Sequence, residues 1–239
     1  LVNREGIGDL LAQGYKPCIE KWGKEAEKYA MHSKWQPLPM HEPRFKFGLG
    51  LGYAMSPTGG DHMHNMHDTG LESEAGLGGV RPYGVLEPMG AQELSPAKVR
   101  TLYYHTMTQT VKNMIGMCHF PPWNPNHVTE IMKAVTGWDT SLFELFKAAE
   151  RGWTMARAYN IREGLTADDD TIPERFFESF EDGPLKGVAH DHQQFDNMRE
   201  LYYQLAGWDK KTGVPTKAKY IDLDMDWLAE EMEQHNLTD

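Results

Sequence analysis

The chain has 239 residues, 40% of them hydrophobic and 25% charged, enough for one sizeable core or a core with a subdomain. Its 24 basic against 35 acidic residues give a formal charge of −11, a field that repels phosphate backbones and anionic membranes and so excludes nucleic acid as an expected partner. Two cysteines, Cys18 and Cys118, make no disulfide framework, and without a signal peptide or a bilayer-length apolar run the expected compartment is the cytoplasm, with no membrane partner.

The first residues already follow a helical period. Ile7, Leu10 and Leu11 predict a helix over about 4–13, and with no initiator methionine ahead of it the chain reads as the C-terminal part of something longer. A second helix is expected over about 17–28, "PCIEKWGKEAEK", running into a short strand at "YAMHS". Between residues 37 and 92 proline and glycine concentrate and predict irregular backbone. A loop of that length inside a compact chain is usually functional, and its aromatic residues and methionines argue against disorder. Ser95 as N-cap and Pro96 at the first helical position open the clearest helix, which apolar positions carry on toward Cys118. Further helices follow at "NHVTEIMKAVTGW", at "SLFELFKAAERGWTMARAYN" with Ser141 and Glu144 as a capping box, at "QFDNMRELYYQLAGW" and at "DLDMDWLAEEMEQHN". The expected fold is mostly α, with a long loop-rich segment near residues 33–92.

Four stretches are candidates for chemistry. "GGDHMHNMHD", residues 59–68, sets His62, His64 and His67 at the spacing of the HxHxDH signature of zinc hydrolases, but Met66 stands where that signature needs an aspartate. Cys118 in "NMIGMC" reads either as a buried free cysteine or as a thiolate ligand whose partners lie outside this chain, since Cys18 and Cys118 alone complete no cluster. Asp168 to Asp170 lack the alternation of a calcium loop and read as a solvated turn before the next segment. "GLGLGY" misses the dinucleotide fingerprint, and its alternating glycines suit close approach by a flat ligand or another strand.

Taken in order, "REGIGDLLAQG", "LPMHEPR", "GLGLGYAMSPTGGDH", "NMIGMC", "YNIREGLTADDDTIPERF" and "LYYQLAGWDKKTGVPT" resemble the C-terminal part of the tungsten-containing aldehyde ferredoxin oxidoreductase family, collinearly along nearly the whole chain. The resemblance implies irregular helical domains of that type: residues 1–32 as the tail of a middle helical domain and 33–239 as the C-terminal one. A pterin-binding β domain and a CxxCxxxC segment would precede them. It implies a tungsten or molybdenum ion held by two pterins beside a 4Fe-4S cluster, and oxidation of an aldehyde to a carboxylic acid. Electrons would pass to ferredoxin or another electron-transfer subunit, with the missing N-terminal part and a homo- or hetero-oligomer as further partners.

Residue by residue, the same resemblance makes Cys118 the fourth cluster ligand and His62 a catalytic group near the metal, bonding the substrate carbonyl or an oxygen on the metal and shuttling a proton. His64 falls where relatives carry a cofactor-contacting lysine, and Asn113, Gly116, Met117 and His119 fall on the second pterin motif. That motif reads D-x-x-G-L-C in the family, so Asn113 replaces an aspartate and is expected to weaken or re-tilt the pterin contact by about 1 kcal/mol or more. His67 and Asp68 read as orienting or surface groups. Three other readings stand beside this one: a tungsten subunit of a class II benzoyl-CoA reductase type complex, a zinc hydrolase built on His62, His64 and His67, and a non-catalytic interaction subunit.

Overall fold

Side-chain caps start the longer helices and glycine ends several of them. In the computed structural model, which describes residues 1–238, these are α1 (Ile7–Leu11), α2 (Tyr15–Trp22), α3 (Phe47–Met55), α4 (Pro96–Met114), α5 (Pro125–Thr136), α6 (Leu142–Arg162), α7 (His192–Ala206), α8 (Lys217–Asp222) and α9 (Asp226–Gln234). An antiparallel hairpin of β1 (His32–Ser33) and β2 (Gln36–Pro37) is the sheet among the described residues, so the mostly α expectation holds. Asp239, the last residue of the expected second domain, lies outside them. Among the described residues no helix is long and apolar enough to cross a membrane.

Local chemistry moves several expected boundaries. Gly23, at φ 87°, ends α2, and a 3-10 turn from Lys24 to Tyr29 takes over where the helix was expected to continue. The last expected helix is broken at Asp224, whose φ of 54° separates α8 from α9. α4 stops short of Cys118 because Gly116, at φ 69°, turns the chain. The Met117 amide then donates to Lys112 O at 2.8 Å and the Gly116 amide to Asn113 O at 3.2 Å, the paired bonds of a Schellman cap.

The largest departure is α3. "FGLGLGYAM" was expected as loop, yet it is a helix with all nine residues buried. Glycine in a helix interior costs about 1 kcal/mol against alanine, and here each gap admits a polar side chain. A Cβ on Gly48 would lie 2.6 Å from Asp68 Oδ1, one on Gly50 2.9 Å from His190 Nε2, and one on Gly52 1.9 Å from Asn65 Oδ1. The close approach foreseen for these glycines is therefore made by side chains. Asn65 Nδ2 donates to Leu49 O at 2.9 Å, and Asp68 accepts the Gly48 and Leu49 amides, both at 2.9 Å, satisfying free N–H groups in the first turn of α3.

Lys98, in the first turn of α4, completes this joint. Its Nζ donates to Asp68 Oδ1 and to Gly90 O, each at 2.8 Å, with both side chains 0% exposed. Asp68 is thus a buried anchor and not the surface group that the sequence allowed. Around the joint, α4 packs against α6 and α7, and Leu49, Leu51, Tyr53, Leu102, Met107 and Tyr202 fill the main core. A smaller core gathers Tyr220, Leu223, Leu228 and Met232 under the C-terminal end of α6.

Asp170 is also misread as solvated. Thr166 caps a 3-10 turn, and Asp169 accepts the Thr166 amide at 2.8 Å, as a capping turn requires. Asp170 itself is 0% exposed, paired with Lys34 Nζ at 2.8 Å and Arg157 Nη1 at 2.7 Å and bonded by the Tyr203 hydroxyl. It ties the hairpin, α6 and α7 together.

Breaking one partner of a buried ion pair strands the other charge. In the intact protein Lys98→Met is therefore expected to lower unfolding free energy by about 3–5 kcal/mol, read from the denaturant midpoint; a change below about 1 kcal/mol would contradict the clamp.

Candidate functional site

The histidine loop runs between α3 and α4, and its anchors decide where its histidines go. Asp61 Oδ1 accepts the Met63 amide at 2.7 Å in a tight turn, and Asn65 and Asp68 are fastened into the glycine gaps of α3. The histidines between these fixed points are split into two groups.

His64 faces the end of α4. Its Nδ1 is 2.6 Å from Asp61 Oδ2, and its Nε2 is 2.5 Å from Asn113 Nδ2. Asn113 Oδ1 in turn lies 2.6 Å from His119 Nε2. Only one proton arrangement satisfies all three contacts with neutral rings. His64 donates from Nδ1 to Asp61, the Asn113 amide donates to His64 Nε2, and His119 Nε2–H donates to the Asn113 oxygen. An aspartate at 113 has no N–H to give His64. His64 and Asn113 are the two ends of one hydrogen bond.

His62 and His67 turn the other way and meet His41, with ring centroids 5.2 Å and 4.6 Å from it. Burial, helped by the Lys46 ammonium, holds His67 down to about 4. Lys46 Nζ lies 3.1 Å from His67 Nδ1, so that nitrogen is the acceptor. His62 has no hydrogen-bond partner for its ring among the described residues. The zinc-hydrolase reading of His62, His64 and His67 fails on this split, because both nitrogens of His64 are spent on Asp61 and Asn113. Among the described residues no group of three His, Cys, Asp or Glu side chains is placed to hold a metal ion.

His62, His67, His105, His119 and Lys112 line one side of a cavity of about 810 Å3, with Tyr83, Phe120 and Trp123 among its apolar walls. His105 is pushed down to about 4, chiefly by burial and next by Lys112. A cleft of about 880 Å3 at the N-terminal hairpin is slightly larger, but charged side chains such as Lys24, Glu25 and Arg175 line it and it holds none of the expected catalytic or cofactor residues. The histidine-lined cavity is the better candidate because apolar walls with a few convergent polar groups suit a small-molecule site.

Beyond the Schellman cap, Cys118 is exposed and not the buried free thiol of the plainer reading; Cys18 is the buried one. Gly116 is exposed and Met117 half-buried against the core. The turn thus presents a thiol and backbone groups outward, as a ligand shared with another segment requires. His119 Nδ1 is buried with no partner among the described residues, a further unfilled bonding position beside Asn113. A thiolate-bound cluster and a polar pterin edge both fit these groups. Of the expected site residues, His64, Asn113, Gly116, Met117, Cys118 and His119 are gathered around one helix end, while His62 stands apart in the cavity. Sequence reasoning missed Asp61, His41, His105 and Lys112; the spacing of His105, Gln109 and Lys112 on one face of α4 was the available signal for His105 and Lys112.

The chain belongs to the aldehyde ferredoxin oxidoreductase family: the family described as "Aldehyde ferredoxin oxidoreductase, domains 2 & 3" matches residues 1–225. It is 32% identical over 229 residues to the tungsten-containing aldehyde ferredoxin oxidoreductase of Pyrococcus horikoshii, covering 94% of this chain and 35% of that protein. The Pyrococcus furiosus protein of the same name is 32% identical over 219 residues, covering 90% and 34%. An aliphatic sulfonate oxidoreductase, WOR-like subunit, of Pyrococcus furiosus is 26% identical over 230 residues. The chain thus spans about a third of the length of these relatives. Among solved structures, the active site complex BamBC of benzoyl coenzyme A reductase, in complex with 1,5 dienoyl-CoA, shares the fold with a TM-score of 0.71 at 21% identity, over 99% of this chain and 39% of that one.

Two outcomes follow from the proton arrangement. His64 should hold its proton on Nδ1, visible in the 15N shifts of the intact protein; a proton on Nε2 alone would contradict the assigned chain. His67, His105 and His190 each stay neutral down to about 4 in the fold, against 6.5 for a free imidazole, so unfolding takes up protons between those values. Stability should therefore fall as pH drops from 6.5 toward 4, and His105→Gln should make the fall shallower in denaturant titrations.

Proposed function

We propose that the chain is the C-terminal part of a tungsten–pterin oxidoreductase that oxidises an aldehyde to a carboxylic acid, with electrons leaving through a 4Fe-4S cluster to ferredoxin. The observation that carries this reading is the end of α4, where the 113–119 turn gathers Cys118, Asn113 and His119 beside the histidine-lined cavity. Cys118 would hold one corner of the cluster, its other ligands coming from the remainder of the protein. His64, Asn113, His119 and the backbone at Gly116 and Met117 would face the pterin. When bound, the tungsten–pterin group supplies the two-electron couple and the cluster hands the electrons on singly.

Oxidising an aldehyde with water to an acid releases two electrons and two protons, and a group beside the carbonyl must take a proton. His62 suits this role, since it lines the cavity and its ring is unengaged, whereas His64 is fixed at both nitrogens. The apolar walls exclude water and orient the substrate body. The same aromatic-walled cavity supports a second reading, the tungsten subunit of a class II benzoyl-CoA reductase type complex, which binding of an acyl-CoA thioester would distinguish.

In the full-length enzyme His62→Ala should lower kcat by about 100-fold or more with tungsten content unchanged. Cys118→Ser should lose cluster iron. Full activity in His62→Ala, or an intact cluster in Cys118→Ser, would remove the corresponding role.

A further inference from the structure

Buried cations in this fold have carboxylate partners. Lys98 has Asp68 at 2.8 Å, Arg157 has Asp170 at 2.7 Å, Lys219 has Glu150 at 3.0 Å and Arg44 has Glu42 at 2.9 Å. Lys112 is the exception. It is 5% exposed, yet its ammonium has neither a salt bridge nor a hydrogen bond among the described residues. It lines the cavity that holds His62, and no aspartate or glutamate lines that cavity with it. Burial pushes Lys112 below the usual lysine range, while Cys118 acts in the other direction. The Lys112 stem is packed away while its ammonium is left unpaired at the cavity, where an anion can meet it.

The rest of the cavity sets what could supply the counter-charge. His67 and His105 are held neutral, so these two rings add no charge to the cavity. Tyr83, Phe120 and Trp123 offer flat apolar contact, and about 810 Å3 accommodates a molecule of ten or more heavy atoms, not a bare ion.

We infer that Lys112 is the anion-binding group of this cavity, and that the substrate carries a carboxylate-like group on an apolar or aromatic body in addition to its reacting carbonyl. The inference rests on the cavity being the substrate site proposed above. The cavity then sorts substrates by charge at one end while His62 handles the proton, and Lys112 is a specificity residue for the proposed chemistry.

The test uses the full-length holoenzyme and a matched pair, 4-formylbenzoate and 4-formylbenzamide, with 4-methylbenzoate and 4-methylbenzamide as unreactive counterparts for calorimetry. A charge-assisted contact predicts that wild type favours the anion by about tenfold or more in kcat/KM and in Kd. Lys112→Met should abolish that preference with little change for the neutral amide, and Lys112→Arg should keep most of it. No preference in wild type, which needs no variant to fold, overturns the inference, as does a preference that survives in Lys112→Met. Loss of iron or tungsten from Lys112→Met, with the remaining holoenzyme still preferring the anion, assigns the charge to the cofactors and also overturns it. Lys112-dependent binding of 4-methylbenzoate without oxidation of either aldehyde would support the anion site and reject the aldehyde oxidation. Equal oxidation of both aldehydes would do the reverse.

Discussion

The carboxylate of Asp68 is where the histidine loop, α3 and α4 are held to one another. It is fully buried, it accepts two amides in the first turn of a helix with no side-chain cap of its own, and it takes the ammonium of Lys98 from the start of α4. A helix N-terminus favours a negative charge, and the lysine offsets the cost of burying it. With Asp68 pinned at one end and Asp61 turned at the other, the residues between them have little freedom. The glycines of α3 make the arrangement possible, since any side chain at Gly48 or Gly52 would occupy the space of Asp68 or Asn65.

From that constraint the site divides by charge. On one side the Asp61 carboxylate, His64, Asn113 and His119 form a chain of hydrogen bonds ending at an unfilled His119 nitrogen. On the other, histidines kept neutral by burial and nearby lysines surround a cavity lined by Lys112, whose ammonium has no salt-bridge or hydrogen-bond partner among the described residues. Burial, reinforced by the nearby lysines, keeps His67 and His105 uncharged, and their acceptor nitrogens are already engaged, Nδ1 of His67 by Lys46 and Nε2 of His105 by the Gln109 amide. The His64–Asn113 bond ties the histidine loop to the end of α4.

Much of this was legible in the sequence, and the remainder has a common cause. Ser95 and Ser141 announced their helices because a cap acts within three residues. The ordered motifs pointed to the family, and the family matches. What sequence reasoning lost were contacts between distant segments. "FGLGLGYAM" reads as loop because helix propensity penalises glycine, and the partners that fill its gaps, Asn65, Asp68 and His190, lie well outside any local window. Asp170 reads as solvated for the same reason: Lys34 and Arg157 reach it from other elements. The pairing of His64 with Asn113 joins two motifs that look independent in one dimension.

The central claim is that Cys118 and the residues around it complete a metal–pterin and iron–sulfur site with the rest of the protein. Elemental analysis of the intact protein, purified without oxygen, tests it most directly. The expected result is about one tungsten or molybdenum and about four iron atoms per chain. Stoichiometric zinc with neither tungsten, molybdenum nor iron would contradict it.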